Sequence, residues 1–228
     1  MPKKRFLDYL LNKLPIIFLS IGLILLGLTY YRTVLIEFNY YLDNILGKKH
    51  ILSRNVTLPS NDNNFRNLSL SSSDLLISPI DKGFGIVIEK INVNAPVVKD
   101  VPVINHEAYL EALKWGVAHA SFSGYPNEQN SNVYLFAHSS NNFWELGKYS
   151  TVFNLLYKLG TGDQINIFYE GKRYLYQVDN KLLLNDFKVD ETIYDSIGPT
   201  LTLQTCYPTG TSLYRLVIRA SLVGIYEN

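Results

Sequence analysis

The longest uncharged apolar run lies near the N-terminus, where residues 14–31 read LPIIFLSIGLILLGLTYY. At 1.5 Å per residue, a helix over this run measures about 27 Å, close to the thickness of the hydrocarbon layer. Basic residues precede it at Lys3, Lys4, Arg5 and Lys13. This flank predicts a single-pass anchor with its N-terminus in the cytoplasm and the remaining chain outside. A cleaved signal peptide is the alternative, but the run is longer than usual and lacks an A-x-A-like site.

Two segments of different character follow the span. Apolar residues recur at helical spacing until Gly47, which predicts an amphipathic helical stalk over residues 32–49, near the outer membrane surface. Residues 50–83 are rich in Ser, Asn and Asp without periodicity, which predicts a flexible linker. The expected organisation is therefore a cytoplasmic tail (1–13), an anchor (14–31), a stalk (32–49), a linker (50–83) and a folded domain (84–228).

Within residues 84–228, strand patterns outnumber helical patterns. The strand-like segments are GIVIEKINV from Gly85, APVV from Ala95, and residues 133–138, 164–169, 173–178, 181–184, 201–206 and 213–223. Asn105 can cap a helix through Lys114, residues 151–159 predict a second helix, and residues 116–132 predict a polar loop. Because regular β-α alternation is missing, the pattern predicts a mostly antiparallel barrel or sandwich with two or three short helices.

Charge and residue spacing exclude some classes of function. The chain has 21 basic and 20 acidic residues, with a net charge of +1, and forms no long basic stripe. Nucleic-acid binding is therefore not expected. Acidic residues are scattered and the four histidines lack ligand spacing, so neither a metal nor another cofactor is predicted.

Cys206 is the only cysteine, and the predicted topology places it outside the cytoplasm. It has no partner for an intramolecular disulfide, so it is either an inert buried residue or a thiol kept for its reactivity. Cys206 ends one predicted strand and Arg215 begins the next. If these strands pair, the thiol and the guanidinium lie at the same end of the sheet. Arg219 shares that face but lies about 13 Å further along the strand.

Among the histidines, His138 is the best candidate for an acid or base because it ends the apolar strand VYLFAH beside a loop. His119 falls in the predicted polar loop, and no catalytic part is expected for it. A reactive thiol needs charged partners, since at an ordinary pKa near 8.5 only about 3% is thiolate at pH 7. The alternatives are a hydrogen-bonded histidine at the edge of the sheet and a solvated arginine at 215.

These residues carry a family resemblance. The run TLQTC, the following strand RLVI from Arg215, the strand ending at His138 and the opening GIVIEKINVNAPVV resemble the sortases, membrane-anchored cysteine transpeptidases of bacterial surfaces. The resemblance covers roughly residues 84–224. It implies an eight-stranded β-barrel in which Cys206 is the nucleophile, His138 the general acid and base, and Arg215 the residue that holds substrate or oxyanion.

The resemblance also implies partners. A sortase of this kind cleaves an LPxTG-like motif of a surface protein between Thr and Gly, and passes the thioester to an amine of a peptidoglycan precursor or a pilin lysine. In this chain Phe136-Ala137 precedes His138, where the family commonly has a small residue and glycine. An Asp-Pro-aromatic lid motif and a second span after Val223 are not found, which favours protein anchoring over pilus building. The non-enzyme alternative is a tethered adhesion or assembly module with a buried cysteine.

Overall fold

The computed structural model describes residues 2–53, 74–139, 147–185 and 198–227. A single long helix, α1 (Pro2–Ile45), includes both the predicted anchor and most of the predicted stalk. Its segment Asn12–Ile45 is long and apolar enough to cross a membrane, judged by length and composition. The helix ends at a turn in which Gly47 has a φ of 64°, a left-handed conformation that glycine adopts without strain.

The structure differs from the predicted linker at both of its ends. β1 (His50–Leu52) pairs in parallel with β2 (Leu75–Ile77). Leu52 is buried against Val87 and Phe168 of the main domain. Burial of Leu52, with Ile77 packed beside it, therefore accompanies the formation of this short strand pair although the neighbouring residues are polar. Residues 54–73, the middle of the predicted linker, lie outside the described residues.

Eight further strands close into a barrel. They are β3 (Phe84–Ile88), β4 (Val93–Val101), β5 (Val117–Ala120), β6 (Asn132–Phe136), β7 (Gln164–Tyr169), β8 (Lys172–Asn185), β9 (Thr200–Tyr207) and β10 (Tyr214–Glu227). Their order around the barrel is β10-β8-β7-β3-β4-β5-β6-β9. Among the described strands, six contacts of the barrel are antiparallel and two, β4–β5 and β6–β9, are parallel. The predicted mostly β, eight-stranded barrel is confirmed.

The first predicted helix of the domain is confirmed and the second is wrong. α2 (His106–Trp115) begins at Asn105, whose side chain accepts a hydrogen bond from the amide of Ala108 at 3.1 Å. Residues 151–159 instead form successive turns that end in a 3₁₀ helix, Leu156–Lys158. β-Branched residues at 151 and 152 disfavour an α-helix, and backbone bonds of the i→i+3 type replace its ladder. A second 3₁₀ helix, Glu89–Ile91, joins β3 to β4.

The predicted polar loop 116–132 is wrong at its start, because Val117–Ala120 forms the fully buried strand β5. α2 is the crossover that allows β5 to run parallel to β4. Gly116 joins α2 to β5 so close to β4 that a Cβ atom there would overlap the carbonyl oxygen of Pro96. A strand of four residues gives too short a pattern to be recognised without its neighbours.

The alternation of side chains along β9 decides which residues face the interior. Leu201 and Leu203 are fully buried in the core, whereas Gln204 and Cys206, of the opposite parity, keep partial exposure. The same register places Leu135 of β6 on the inner face beside Leu203. Cys206 therefore lies on the outer face of the barrel wall.

The C-terminal part of α1 packs against the barrel. Ile36 and Tyr40 pack against the core cluster. Glu37 accepts a hydrogen bond from the hydroxyl of Tyr157, and its carboxylate lies 3.4 Å from the ammonium of Lys158. Burial and the bond to Glu37 raise the pKa of Tyr157 above its usual range. One face of the predicted stalk is thus part of the folded domain.

Candidate active site

Cys206 and Arg215 lie directly opposite each other on paired antiparallel strands. The Arg215 guanidinium donates a hydrogen bond from Nη1 to the Cys206 sulfur. Cys206 is partly exposed, and the guanidinium covers one side of its sulfur. A fixed positive charge at this position stabilises the thiolate form of cysteine, which is the nucleophilic form.

Arg219 provides an internal comparison for this contact. It pairs with Thr202 on β9, whereas Arg215 pairs with Cys206 itself. Arg219 and Arg215 therefore share the outer face of β10 but lie four residues apart along it, about 13 Å. Of the two candidates, the structure brings Arg215 to the thiol.

His138 follows the end of β6, the strand that runs parallel to β9. The amide of Ala137 donates to the carbonyl of Gln204 at 3.2 Å, and the Thr205 hydroxyl donates to the carbonyl of Ala137 at 2.9 Å. On the other side, the Ser139 hydroxyl donates to the carbonyl of Cys206 at 2.6 Å. Both neighbours of His138 are thus bonded to the segment around Cys206, and adjacent strands lie about 4.8 Å apart.

These bonds place the three sequence-predicted residues on neighbouring parts of one wall, in the order His138, Cys206, Arg215. The β6–β9 register pairs Phe136 with Gln204, and His138 and Cys206 each follow two residues later along their own segments. The loop after β9 adds one more bond, from the amide of Gly210 to the carbonyl of Ser139 at 2.6 Å. Local sequence cannot predict this arrangement because the two segments are far apart along the chain.

Tyr109 of α2 packs against the imidazole of His138. Its ring stacks on Phe136 with centroids 5.3 Å apart and planes 6° apart, and meets His138 edge to face at 5.4 Å and 86°. The Nε2 atom of His138 is shielded from solvent. Sequence reasoning missed Tyr109, since a tyrosine on a short helix gives no sign of which strand end it covers.

A second side-chain pair borders the site on the outer face. The hydroxyl of Tyr134 donates a hydrogen bond to the side-chain oxygen of Gln204, two residues before Cys206. On the other side, Leu184 pairs with Arg215 and Leu182 pairs with Val217. An amide side chain therefore lies on one side of the thiol-bearing strand, and leucines that pack against the core lie beside Arg215 and Val217 on the other.

His119 belongs to a different part of the barrel. It lies on β5, not in a loop as predicted, is fully buried, and shares the inner face with Leu135. Its Nδ1 accepts from the amide of Asp100 at 3.4 Å, while Nε2 lies 3.1 Å from the carbonyl of Gly124 and 2.9 Å from the Ser123 hydroxyl. Burial lowers the pKa of His119, against the opposing effect of the Gly124 carbonyl and Asp100. It cannot reach the outer face where Cys206 lies.

The remaining two histidines, His50 and His106, lie on β1 and α2. His50 lies 3.2 Å from the Asp43 carboxylate near the end of α1, and His106 begins α2. In the part of the chain that the structure describes, no group of three or more His, Cys, Asp or Glu side chains could hold a metal ion. A cavity of about 590 Å³ lies between α1 and the barrel, and Cys206 does not line it.

A comparison with known protein families identifies the family of the barrel domain. A model of the sortase domain matches residues 86–223. The chain belongs to the sortase family. Family membership of this kind carries a transpeptidase activity in general terms, without naming a motif or a substrate. Curated proteins gave no match to the chain.

Solved sortase structures resemble this one over most of the barrel. Sortase C-1 from Actinomyces oris has 23% identity and a TM-score of 0.53, covering 64% of this chain and 76% of that one. Sortase E1 from Streptomyces coelicolor has 20% identity and a TM-score of 0.51, covering 64% and 90%. Sortase A from Corynebacterium diphtheriae has 24% identity and a TM-score of 0.51, covering 62% and 60%. At these low identities, the TM-scores support a shared fold.

Proposed function

We propose that this sortase cleaves an LPxTG-like motif of surface proteins and transfers their N-terminal part to an amine. The observation that carries the proposal is the hydrogen bond from the Arg215 guanidinium to the Cys206 sulfur. It is supported by the bonds that hold the residues on either side of His138 against β9. A nucleophile, a proton carrier and a fixed cation on adjacent strands are the groups that acyl transfer requires.

In the first step, the Cys206 thiolate attacks the carbonyl carbon of the Thr–Gly bond. The tetrahedral intermediate carries an oxyanion, which the Arg215 guanidinium stabilises by charge and hydrogen bonding. As the C–N bond breaks, the His138 imidazolium gives its proton to the departing glycine nitrogen. The products are a thioester on Cys206 and a free amine, and His138 is left neutral.

In the second step, an amine attacks the thioester carbonyl. Neutral His138 accepts the proton that the attacking nitrogen loses, and the Cys206 thiolate leaves. A new amide bond replaces the thioester, so the thiolate and imidazolium are both regenerated. Attack by water in place of the amine gives a free carboxylic acid, and exclusion of water therefore decides whether transfer or hydrolysis prevails.

The N-terminal helix supports the proposed location. Lys3, Lys4, Arg5 and Lys13 before the apolar run favour a cytoplasmic N-terminus. The proposed location of the barrel is accordingly the outer face of a bacterial cell membrane. The proposed partners are then surface proteins with a C-terminal sorting motif, and an amine of a peptidoglycan precursor or a pilin lysine. A binding module with an inert cysteine is disfavoured because Cys206 is partly exposed and contacts a guanidinium.

The test uses the full chain in detergent with LPxTG-type peptides, with and without an amine donor such as triglycine. We expect mass spectrometry to detect an acyl-enzyme on Cys206, and a ligated product when the amine is present. Cys206→Ala should abolish both products, and His138→Gln should abolish ligation. His119→Gln, on the inner face, should retain substantial activity once its folding is verified. Cleavage by the Cys206→Ala variant, or no acyl-enzyme with any peptide of a motif library, would refute the proposal.

A further inference from the structure

Five large apolar side chains of α1 remain exposed beyond the predicted span. They are Val34 (62% exposed), Leu35 (55%), Phe38 (59%), Tyr41 (54%) and Ile45 (79%). We call this set the α1 stripe. Exposed apolar surface of this extent outside a membrane marks an interaction site.

The barrel occupies a different flank of the same helical segment. Thr33 lies within hydrogen-bond distance (3.4 Å) of the Asn154 amide, and Ile36 and Tyr40 pack against the core. At 100° per residue, these docked positions are centred more than 100° around the helix from Val34 and Ile45. Within the stripe, the Tyr41 hydroxyl accepts a hydrogen bond from Lys158 of the barrel domain at 3.3 Å, yet Tyr41 remains 54% exposed. The α1 stripe is therefore accessible to a partner while the barrel stays docked.

Lipid cannot cover the whole stripe. The hydrocarbon layer must end before Thr33, because that residue already contacts a polar side chain of the folded domain. Ile45 lies 12 residues further, about 18 Å along the helix, or about 14 Å above this level at a tilt of 40°. The headgroup layer on each side of a bilayer is only about 5–8 Å thick. The upper stripe needs a protein partner.

The spacing of the stripe is that of a helix pair. Val34, Phe38, Tyr41 and Ile45 follow steps of four, three and four residues. Over the longer series from Ile24 to Ile45, steps of three and four alternate and average 3.5, which keeps one face toward a partner helix. The same steps continue backward through Tyr31, Gly27 and Ile24 into the span. Because the seam includes residues of the span, its partner is itself a membrane-spanning helix.

A second copy of this chain meets these requirements. In each copy, the Thr33 contact with the barrel sets the level at which α1 leaves the hydrocarbon layer. The two stripes therefore begin at the same distance from the membrane. We propose that two copies pair in parallel through α1, along a seam that runs from Ile24 to Ile45. The pairing is independent of the transpeptidase activity and would hold two barrels on one rigid stem.

The test exploits the single cysteine of the chain. In the full-length Cys206→Ala background, single cysteines replace Phe38 and Ile45 of the seam, or their exposed sequence neighbours Asn39 and Asn44, which lie at nearly the same height on other sides of the helix. The proteins are oxidised in membrane vesicles and separated without reductant. We expect disulfide-linked dimers from Phe38→Cys and Ile45→Cys, at least about fivefold more than from Asn39→Cys and Asn44→Cys.

Further controls make each outcome decisive. Labelling with a small soluble maleimide verifies that every cysteine is reactive, and the melting temperature verifies that the barrel is folded. Mixing with Cys206→Ala chains, which have no cysteine, should reduce the amount of crosslinked dimer in proportion to the share of cysteine-free chains. Equal crosslinking at all four positions, none at Phe38 and Ile45, or a crosslinked species that is not twice the chain mass would each overturn the proposal.

Discussion

Replacement of Arg215 by alanine tests the contact on which the site depends. In the structure the guanidinium donates directly to the Cys206 sulfur, and both residues are partly exposed. A hydrogen bond to a charged group contributes about 1.5–3 kcal/mol. Each 1.36 kcal/mol changes a rate tenfold, so loss of thiolate stabilisation alone should lower the rate of alkylation of Cys206 at neutral pH by about 10- to 100-fold.

Peptide turnover should fall further than alkylation. If Arg215 also stabilises the oxyanion, its removal costs about another 10²- to 10³-fold in kcat, as for other single oxyanion donors. Alkylation by iodoacetamide forms no oxyanion and does not sense this second effect. The difference between the two rate losses therefore separates the two roles of Arg215.

The assay compares iodoacetamide kinetics with acyl-enzyme formation in single-turnover reactions. Arg219→Ala is the matched control, because Arg219 lies on the same face of the same strand but pairs with Thr202. We expect it to leave both rates within about threefold of the wild type, as for a surface charge one Debye length away. Equal effects of Arg215→Ala and Arg219→Ala, or an unchanged alkylation rate in Arg215→Ala, would refute a specific role for the observed hydrogen bond.

Three further predictions concern residues around the site and in the core. Gly116→Ala should lower the free energy of unfolding, measured in urea, by about 1–3 kcal/mol, because its Cβ would overlap a carbonyl of β4. Gly160→Ala is the control and should be nearly neutral, because the space around Gly160 is open. Since burial lowers the folded-state pKa of His119 below its unfolded value, the unfolded chain binds the proton more tightly. Stability should therefore fall as pH drops from about 7 to 5, and His119→Gln should flatten this dependence; a parallel decline in both proteins would contradict it. Tyr109→Leu should reduce kcat about two- to tenfold by loosening His138, while Tyr109→Phe, which keeps the ring, should not; equal losses would count against ring packing.

Part of the candidate site could be predicted from the sequence, because Cys206 and Arg215 lie on consecutive strands with recognisable local patterns. The strand TLQTC ends at Cys206, the next strand begins at Arg215, and a two-residue period fixes which residues share a face. Hairpin pairing of consecutive strands is the simplest topology, so the thiol–guanidinium contact followed from it. The position of His138 depends on the parallel contact of β6 with β9, which joins strands separated by two others along the chain.

The errors have a common physical origin. Val117–Ala120 was predicted as loop, yet it is a buried strand, and residues 151–159 were predicted as helix, yet they form turns. Both segments are short, and their own propensities are weaker than the packing that surrounds them. The same holds for β1 and β2, which become strands only because Leu52 can bury itself against the barrel.

The amino-acid sequence by itself determined the apolar N-terminal helix, the mostly β class and the pairing of the thiol with its arginine, because each depends on the order of nearby residues: an uncharged run, a period of two, a turn. Only the tertiary structure decided that α1 docks on the barrel, that Tyr109 covers His138, and that His119 faces the interior. These facts depend on which distant segments become neighbours when the barrel closes, and closure is governed by burial summed over the whole sheet.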